Sequence, residues 1–526
     1  MPDYLYPGVY VEEVDTGNKP IEGVSTSIVG FLGIAERGPL QPTLITSFSD
    51  FTNAFGSYVR DAKGDHYLAY AVEGFFQNGG QLCFVTRVAS NTPPANLTSL
   101  DGGMRVTAVG PGAWGNNIAV QTAPAGLQSN PNLFKLLVAY WSEASGGPPT
   151  PLPDLTQPIP FNAQPTVLET YDDISTLPTD STFYENQVNQ ISNLITVQQL
   201  NPGIPAIESI AGSPPTSASP MLLVEGIDQP IELADFYGDD TDPANKTGLV
   251  ALADLDEISI LCCPDESYFP NETNIAQALV SQCESLMYRF AILQSPVKAP
   301  LPARHTPSVP SQRGYAAYYF PWLQITNPST GVPVLVPPGG HIAGIYARSD
   351  NNVGVHKDPA NEIILGIDQL QLPINNQAQS ILNPIGVNCL RYFKGQGNLV
   401  WGGRTSSPDP DWKYINVRRL FIFVEHSIQL GTQWVVFEPN DQTLWARARR
   451  SVTDFLTGLW MDGMLQGATK DQAFFVRCDQ TTMTQADIDN GRFIMLIGIA
   501  PVKPAEFVIF RIGQFSGGGS NVTEGQ

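Results

Sequence analysis

Residues 257–263 make a continuous apolar run, residues 274–287 have helical spacing, and residues 288–293 return to an apolar run. Short runs of this kind, apolar without alternation, belong to strands buried on both faces of a sheet. The same succession opens the chain. Residues 27–35 read as an apolar strand and residues 67–78 as a helix with Leu68, Val72, Phe75 and Phe76 on one side. Gly79-Gly80 supply that helix with a C-terminal stop, and residues 82–88 return as a strand. Residues 366–526 alternate again, with strands expected at 420–424 and 493–500. The strongest helix covers residues 442–460, behind Pro439 and the candidate caps Asn440 and Asp441. Its apolar stripe is Leu444, Ala448, Val452, Phe455, Leu456 and Leu459; Arg447 and Arg450 fall off the stripe, and Arg450 stands one turn from Asp454. The expected fold class is therefore mixed α/β.

Both extremes of the chain read as strands. Pro7-Gly8 is followed by alternation through Val14, and residues 506–512 form a strong strand ahead of a Gly/Ser-rich tail from Ser516. Residues 95–245 differ in character, being rich in Pro, Gly, Ser, Thr and Asn, with short apolar segments at 135–140 and 221–224. They read as an inserted, surface-facing, mostly-β module with long loops.

Only 15% of the 526 residues are charged, where about a quarter is usual for a soluble protein. Two readings follow: much of the surface is covered by something other than water, with copies of the same chain the simplest candidate, or the chain is a neutral, Gly/Pro-rich, loop-heavy protein. The net charge of −22 disfavours a general nucleic-acid binder. Cys83, Cys262, Cys263, Cys283, Cys389 and Cys478 include no CxxC pair, and several sit in apolar runs, so they read as small buried hydrophobes in a reducing compartment. The N-terminus has neither a basic nor an apolar leader region, and the longest apolar run, 493–502, is too short to span a bilayer.

The chemistry of catalysis is not visible. Gly395-x-Gly397 and Gly402-Gly403-Arg404 open no helix with a Lys-Ser/Thr pair and read as loop glycines; there is no G-x-S-x-G and no HExxH. His66, His305, His341, His356 and His426 show no paired metal spacing. Gly238-Asp-Asp-Thr-Asp-Pro243 lacks the Gly and terminal Glu of a calcium loop and reads as a turn or helix cap. Asp254, Asp256 and Glu257 flank a strand without a partner for acid/base work. No catalytic, cofactor-binding or metal-binding residue is expected.

Several blocks, in order, resemble one family. Tyr6-Pro-Gly-Val-Tyr-Val-Glu-Glu13 resembles the start of contractile phage tail sheath proteins and of the sheaths of extracellular contractile injection systems. Phe75-Phe-Gln-Asn-Gly-Gly-Gln-Leu-Cys-Phe-Val-Thr-Arg-Val88 is similar to the family's helix-to-strand turn. Val336-Pro-Pro-Gly-Gly-His-Ile-Ala-Gly-Ile-Tyr-Ala-Arg-Ser-Asp350, with Gly354-Val-His-Lys-Asp-Pro-Ala-Asn361, looks like its most recognisable block. Asn383-Pro-Ile-Gly-Val-Asn388, Val400-Trp-Gly-Gly-Arg-Thr405, Asn416-Val-Arg-Arg-Leu420 and Phe437-Glu-Pro-Asn-Asp-Gln-Thr-Leu-Trp445 continue it. The likeness covers residues 1–90 and 245–512 and leaves 95–245, where this family carries variable outer domains, without a counterpart.

The resemblance implies a structural subunit, not an enzyme, that stacks in rings around an inner tube in an extended, high-energy state. Contraction then drives the tube through a target membrane. It implies a strand-exchange arm at 1–24, a sheath core at 25–94, a variable outer domain at 95–245, the rest of the middle domain at 246–365, a tube-lining C-terminal domain at 366–505, and an exchange strand with a flexible tail at 506–526. The exchanged strands would carry Val9, Tyr10, Val11 and Val14 at one end and Phe507, Val508, Ile509, Phe510 and Ile512 at the other. Gly17, Gly23 and residues 16–20 would be hinges, and Arg447, Arg449 and Arg450 a basic patch facing an acidic tube. The implied partners are the chain itself, the inner tube protein, baseplate and terminal cap proteins and, as an option, sheath paralogues, with no cofactor, no nucleic acid and no direct membrane insertion. Assembly would take place in the bacterial cytoplasm, in a phage tail or injection particle that is released or membrane-anchored. The competing expectations are another strand-exchanging component (tube, baseplate or capsid), a hydrolase sited in 95–245, and an insertion that binds carbohydrate.

Overall fold

The computed structural model describes residues 20–61, 64–98, 103–127, 132–200, 219–269, 273–297 and 309–509. The apolar runs assemble into one nine-stranded sheet. Its strands are β1 (Val29–Gly33), β2 (Thr43–Ile45), β3 (Cys83–Arg87), β4 (Ile260–Cys262), β5 (Phe290–Gln294), β6 (Ala316–Phe320), β7 (Glu362–Ile363), β8 (Val387–Phe393) and β9 (Gly397–Trp401). The order is β7-β9-β8-β6-β5-β4-β1-β3-β2. The strands from β8 to β3 run parallel, β9 runs antiparallel to both β8 and β7 at one edge, and β2 runs antiparallel to β3 at the other. Every residue of β1, β4, β5 and β6 is buried, as unalternating apolar strands require. All six cysteines are buried and unpaired with one another.

Six helices matter here: α1 (Phe48–Phe55), α2 (Leu68–Gln77), α3 (Asn274–Leu286), α4 (Gly339–Asn352), α5 (Ile415–Gly431) and α6 (Gln442–Met461). The block from Val336 to Asp350 builds α4, which lies against α2. The approach is closer than side chains allow: a methyl at Gly340 would strike the backbone of Ala71, and one at Gly344 the carbonyl of Phe75. The His341 ring fills the space over Gly74, and burial holds it neutral, at a pKa of about 4.

Buried acids join the strand ends to the helix starts. Asp265 accepts from the Ile34 amide (2.9 Å) and the Tyr67 amide (2.8 Å), tying the end of β1 to the start of α2. Glu266 accepts from the Gln294 amide at 2.8 Å, and the Gln294 side chain accepts from the Gly339 amide at 3.0 Å, where α4 begins. Glu266 is fully enclosed and its second oxygen lacks a partner; burial pushes its pKa up to about 8.

Residues 95–225 hold two further antiparallel sheets around a core of their own, which includes Val106, Ile118, Phe134, Val138, Tyr184 and Ile195. The short strands expected there are present as Leu133–Tyr140 and Met221–Leu222. Polar contacts fix this part to the main sheet. Tyr140 and Ser142 donate to Glu36 at 2.7 and 2.5 Å, and the Arg37 guanidinium lies 5.0 Å from the Tyr140 ring centre. Arg87 donates to the carbonyls of Ala35, Gly38 and Pro111. The Gly238–Pro243 segment is a capped turn, with Asp239 and Asp242 accepting from the amides of Thr241 and Ala244. Asp254 pairs with Lys246 at 2.6 Å, and Asp256 accepts from Tyr288. Among the described residues no helix is long and apolar enough to cross a membrane, and no cluster of three metal-ligating side chains occurs.

One expected element changes type. Residues 420–424 are not a strand but the middle of α5. Leu420, Phe423 and Val424 face one core and Ile422 another, so a helix buried on two sides presents an unbroken apolar run.

Two outcomes follow for the isolated chain. Gly344→Val lowers stability by about 1–3 kcal/mol, whereas Gly458→Ala on α6, where a methyl meets open space, raises it by about 0.5–1 kcal/mol; urea midpoints measure both. The folded chain keeps a proton on Glu266 that the unfolded chain releases above its ordinary pKa, so stability is lost as pH rises from 4.5 towards about 8. Glu266→Gln keeps the shape of the protonated acid and reduces that slope in urea titrations taken across this range.

Candidate functional site

The chain ends converge on α5. Its first turn is capped by Asp358, whose carboxyl takes the Asn416 backbone N–H and which burial pushes to a pKa of about 7. Arg418 stacks on Trp412, 3.2 Å from its ring centre, and on Tyr315 at 4.5 Å. Arg419 makes a two-pronged pair with Asp350 at 2.9 and 2.6 Å, with side chains only 4% and 3% exposed. A charge this deep in the protein needs such a partner.

The N-terminal root lies along the same helix. Ile21 packs on Gly431, the Val24 amide donates to Ser427 at 3.1 Å, and Gly23, expected in a hinge, rests on the Phe423 ring. The carbonyl of Thr26 accepts from Arg419 at 2.8 Å while its hydroxyl donates to Asp350 at 2.7 Å.

The C-terminal root is held one turn away. The Asn416 side chain donates to the carbonyls of Val502 (2.9 Å) and His356 (2.7 Å). Glu506 then receives five polar contacts from four side chains: Arg404 donates to both its oxygens at 2.8 Å, Asn383 at 2.7 Å and Tyr414 at 3.2 Å, with Lys413 at 3.4 Å. Partial burial alone would raise its pKa, but the hydrogen bonds of Arg404 and Asn383 and the charges of Arg404 and Lys413 pull it to about 2. Directly after this anchor Phe507, Val508 and Ile509 are 71%, 69% and 79% exposed and join no ladder among the described residues. Among the described residues, 506–509 are therefore an anchored, exposed segment and not a paired strand.

Beside these roots stands a ribbon of two short strands, β10 (Phe474–Arg477) and β11 (Leu496–Ile499), paired antiparallel from Phe474↔Ile499 to Arg477↔Leu496. Phe474 packs into the cluster of Val452, Leu456 and Leu459 from α6, while Phe475 and Leu496 are exposed. Among the described residues each strand has one ladder partner, so both outer edges of the ribbon are unpaired.

α6 starts as expected, with the Asp441 side chain accepting from the Leu444 amide at 2.8 Å. Leu444, Ala448, Val452, Leu456 and Leu459 are buried. Arg447, Arg449 and Arg450 share the exposed side, and the Arg447 guanidinium lies 4.8 Å from the centre of the Trp434 ring. Val436 and Phe437 project next to it. Val9, Tyr10, Val11, Val14, Gly17, Phe510 and Ile512 lie outside the described residues.

Sequence reasoning did not find the Glu506 anchor or the Arg419–Asp350 pair. Two arginines inside the apolar stretch 415–424 were the available signal, since in a chain with few charges such residues must be partnered.

Comparison with known proteins places these elements. Residues 245–406 match the phage tail sheath protein central domain and residues 407–515 the phage tail sheath C-terminal domain, together just over half of the chain. The tail sheath protein of Vibrio phage KVP40 is 29% identical over 177 residues, which is 33% of this chain and 26% of that protein. The chain spans between 26% and 49% of the length of the curated relatives it matches. The helical sheath of the anti-feeding prophage in its contracted state has the same fold, with a TM-score of 0.56 and 22% identity over 97% of this chain and 100% of the other. A sheath tail protein of Listeria innocua aligns with a TM-score of 0.57 and 11% identity over 92% of this chain and 96% of its own. With the central and C-terminal sheath domains in succession, this chain belongs to the contractile tail sheath family.

Proposed function

We propose that the chain is the repeating subunit of a contractile sheath. It polymerises helically around an inner tube in an extended, metastable state and contracts to drive the tube through a target membrane. One observation carries this reading: a two-stranded ribbon whose two outer edges are unpaired among the described residues stands beside the roots of the two terminal segments. An exposed two-stranded ribbon is marginal alone, and its edges invite further strands. One strand from a neighbour on each edge completes a four-stranded sheet by β-augmentation.

Phe507, Val508 and Ile509 suit that role because they are apolar, exposed and held at their start by Glu506. Each donated strand adds a few ladder bonds at about 0.5–1.5 kcal/mol net. Each buried apolar side chain adds about 1.5–3 kcal/mol. Val9, Tyr10, Val11 and Val14, with Phe510 and Ile512, complete the donated set. The partners are other copies of the chain, the inner tube, the baseplate and cap, and sheath paralogues where a particle encodes them. The particle assembles in the cytoplasm of the bacterium.

The exposed arginines of α6 are the tube contact. Exposed charge pairs are weak and screened by salt, so they grip an acidic tube and still release it.

Deleting residues 1–19 and 507–526 leaves a folded monomer that grows no sleeve; sleeves of unchanged helical order in electron micrographs of the trimmed protein would falsify strand exchange. Replacing Arg447, Arg449 and Arg450 together by Glu leaves circular dichroism and the melting temperature unchanged but abolishes extended assembly on tubes, and normal coating of tubes by this variant would remove them from the tube contact.

A further inference from the structure

The roots of the two chain ends are fastened to one helix within a single turn of each other. Asn416 holds Val502, and Arg419, three residues later, holds Thr26. Three residues of α-helix advance about 4.5 Å. Each root is also pinned by a carboxylate in a directional network, Asp350 for Thr26 and Glu506 for the segment ahead of Phe507. The Arg419–Thr26 and Asn416–Val502 contacts involve no strand of the nine-stranded sheet and no residue of 95–225, whereas the Glu506 anchor reaches β8 through Arg404, which exchanges two hydrogen bonds with Asn388.

From this we infer that α5 is a load bracket: Asn416 and Arg419, with Asp350, Arg404 and Glu506, pass tension from one exchanged strand to the other directly across the subunit. The inference rests on the strand-exchange reading and adds which residues bear the load. Pull applied through residues 1–19 enters at Thr26, crosses one turn of α5, and leaves through Val502 and Glu506. The module at 95–225 then lies off this path, while the sheet is braced by it through Arg404 and Asn388 of β8.

The geometry suits tension. Arg404 meets Glu506 through two parallel N–H···O contacts at 2.8 Å, a pairing that fixes direction as well as distance. Tyr414, Lys413 and Asn383 close around the same carboxylate from elements on either side. An ordinary C-terminal extension needs no such collection of donors at the residue before it becomes exposed. The Arg404, Asn383, Lys413 and Tyr414 side chains are therefore positioning residues: they set where the exchanged strand departs and keep that point from creeping under load.

The test uses the full-length chain with both ends intact. Glu506→Gln keeps the size of the side chain and removes its charge, and Arg404→Gln removes the partner. Both monomers are expected to unfold cooperatively, because the contacts lie at the edge of the fold, and to assemble into sleeves. Those sleeves are expected to fall apart about tenfold faster than wild type in urea below the monomer's midpoint, as loss of a charge-paired anchor acts chiefly on dissociation. Glu506→Asp, which keeps the charge at shorter reach, falls between. A merely structural role would lower the monomer's midpoint and leave sleeve lifetime in step with it. Glu506→Gln and Arg404→Gln sleeves as long-lived as wild type, while the doubly trimmed chain grows none, overturn the bracket alone. Normal sleeves from the trimmed chain overturn strand exchange and the bracket together.

Discussion

α5 has almost no face in water, and the rest of the C-terminal half is arranged around that fact. Ile415 and Ile422 belong to the core of the large sheet, whereas Leu420, Phe423 and Val424 belong to the cluster formed with α6 and the ribbon. One helix therefore serves as a shared wall between two cores, and neither moves independently of the other. Burial of these side chains contributes about 1.5–3 kcal/mol each. The two arginines between them are accommodated differently. Arg418 spreads its charge over Trp412 and Tyr315, while Arg419 is neutralised by Asp350. A buried pair of that kind adds little net stability over apolar side chains of equal size, but removing one partner strands the other. Its value is geometric: it dictates where Thr26 must lie.

Elements whose burial is one-sided, or complete and short, were legible in the sequence. The helix at 442–461 was visible from its stripe and its Asp441 cap, and β4 and β5 from their unbroken apolar runs. α5 was misread for a physical reason. Leu420-Phe-Ile-Phe-Val424 is rich in aromatic and β-branched residues and shows no 3.6-residue period, because both sides of the helix are covered. The start of α4 carries no helix signal in the sequence, because Pro337-Pro338-Gly339-Gly340 are the poorest helix formers. Its glycines serve the close contact with α2 instead. The acidic joints were out of reach of local reading altogether. Asp265 finds its amides 231 and 198 residues away, and Glu506 finds Arg404 at a separation of 102.

The low charge content takes on a meaning once its positions are known. Arg37 and Arg87 sit where the outer module joins the main sheet, Arg348 and Lys357 meet Glu362 at the sheet edge, and Arg404, Arg419 and Lys413 hold the chain ends. Much of the basic charge is thus spent on joints inside one subunit rather than scattered over its surface. The exposed arginines of α6 stand out against that background, in a chain whose net charge is −22. Three exposed basic side chains on one helix of an acidic protein give a local field that favours an acidic surface there.

A subunit that must change its orientation while staying attached needs two kinds of contact with opposite properties. Links along the lattice have to survive rotation, and backbone ladders at the ends of extended segments do so, because the bodies turn about the segments without any ladder bond breaking. Contacts to the tube have to fail on demand, and exposed charge pairs do, because each is worth little and water replaces it readily. What lies between the two must be stiff, or rotation of one subunit would be absorbed by stretching instead of being handed to the next. In the proposed sheath, the bidentate pairs at Asp350 and Glu506 supply that stiffness where the two terminal segments join the folded body. On that proposal, the directional charge pairs at Asp350 and Glu506 and the exposed arginines of α6 answer opposite demands with the same chemistry, and burial decides which role a given arginine plays.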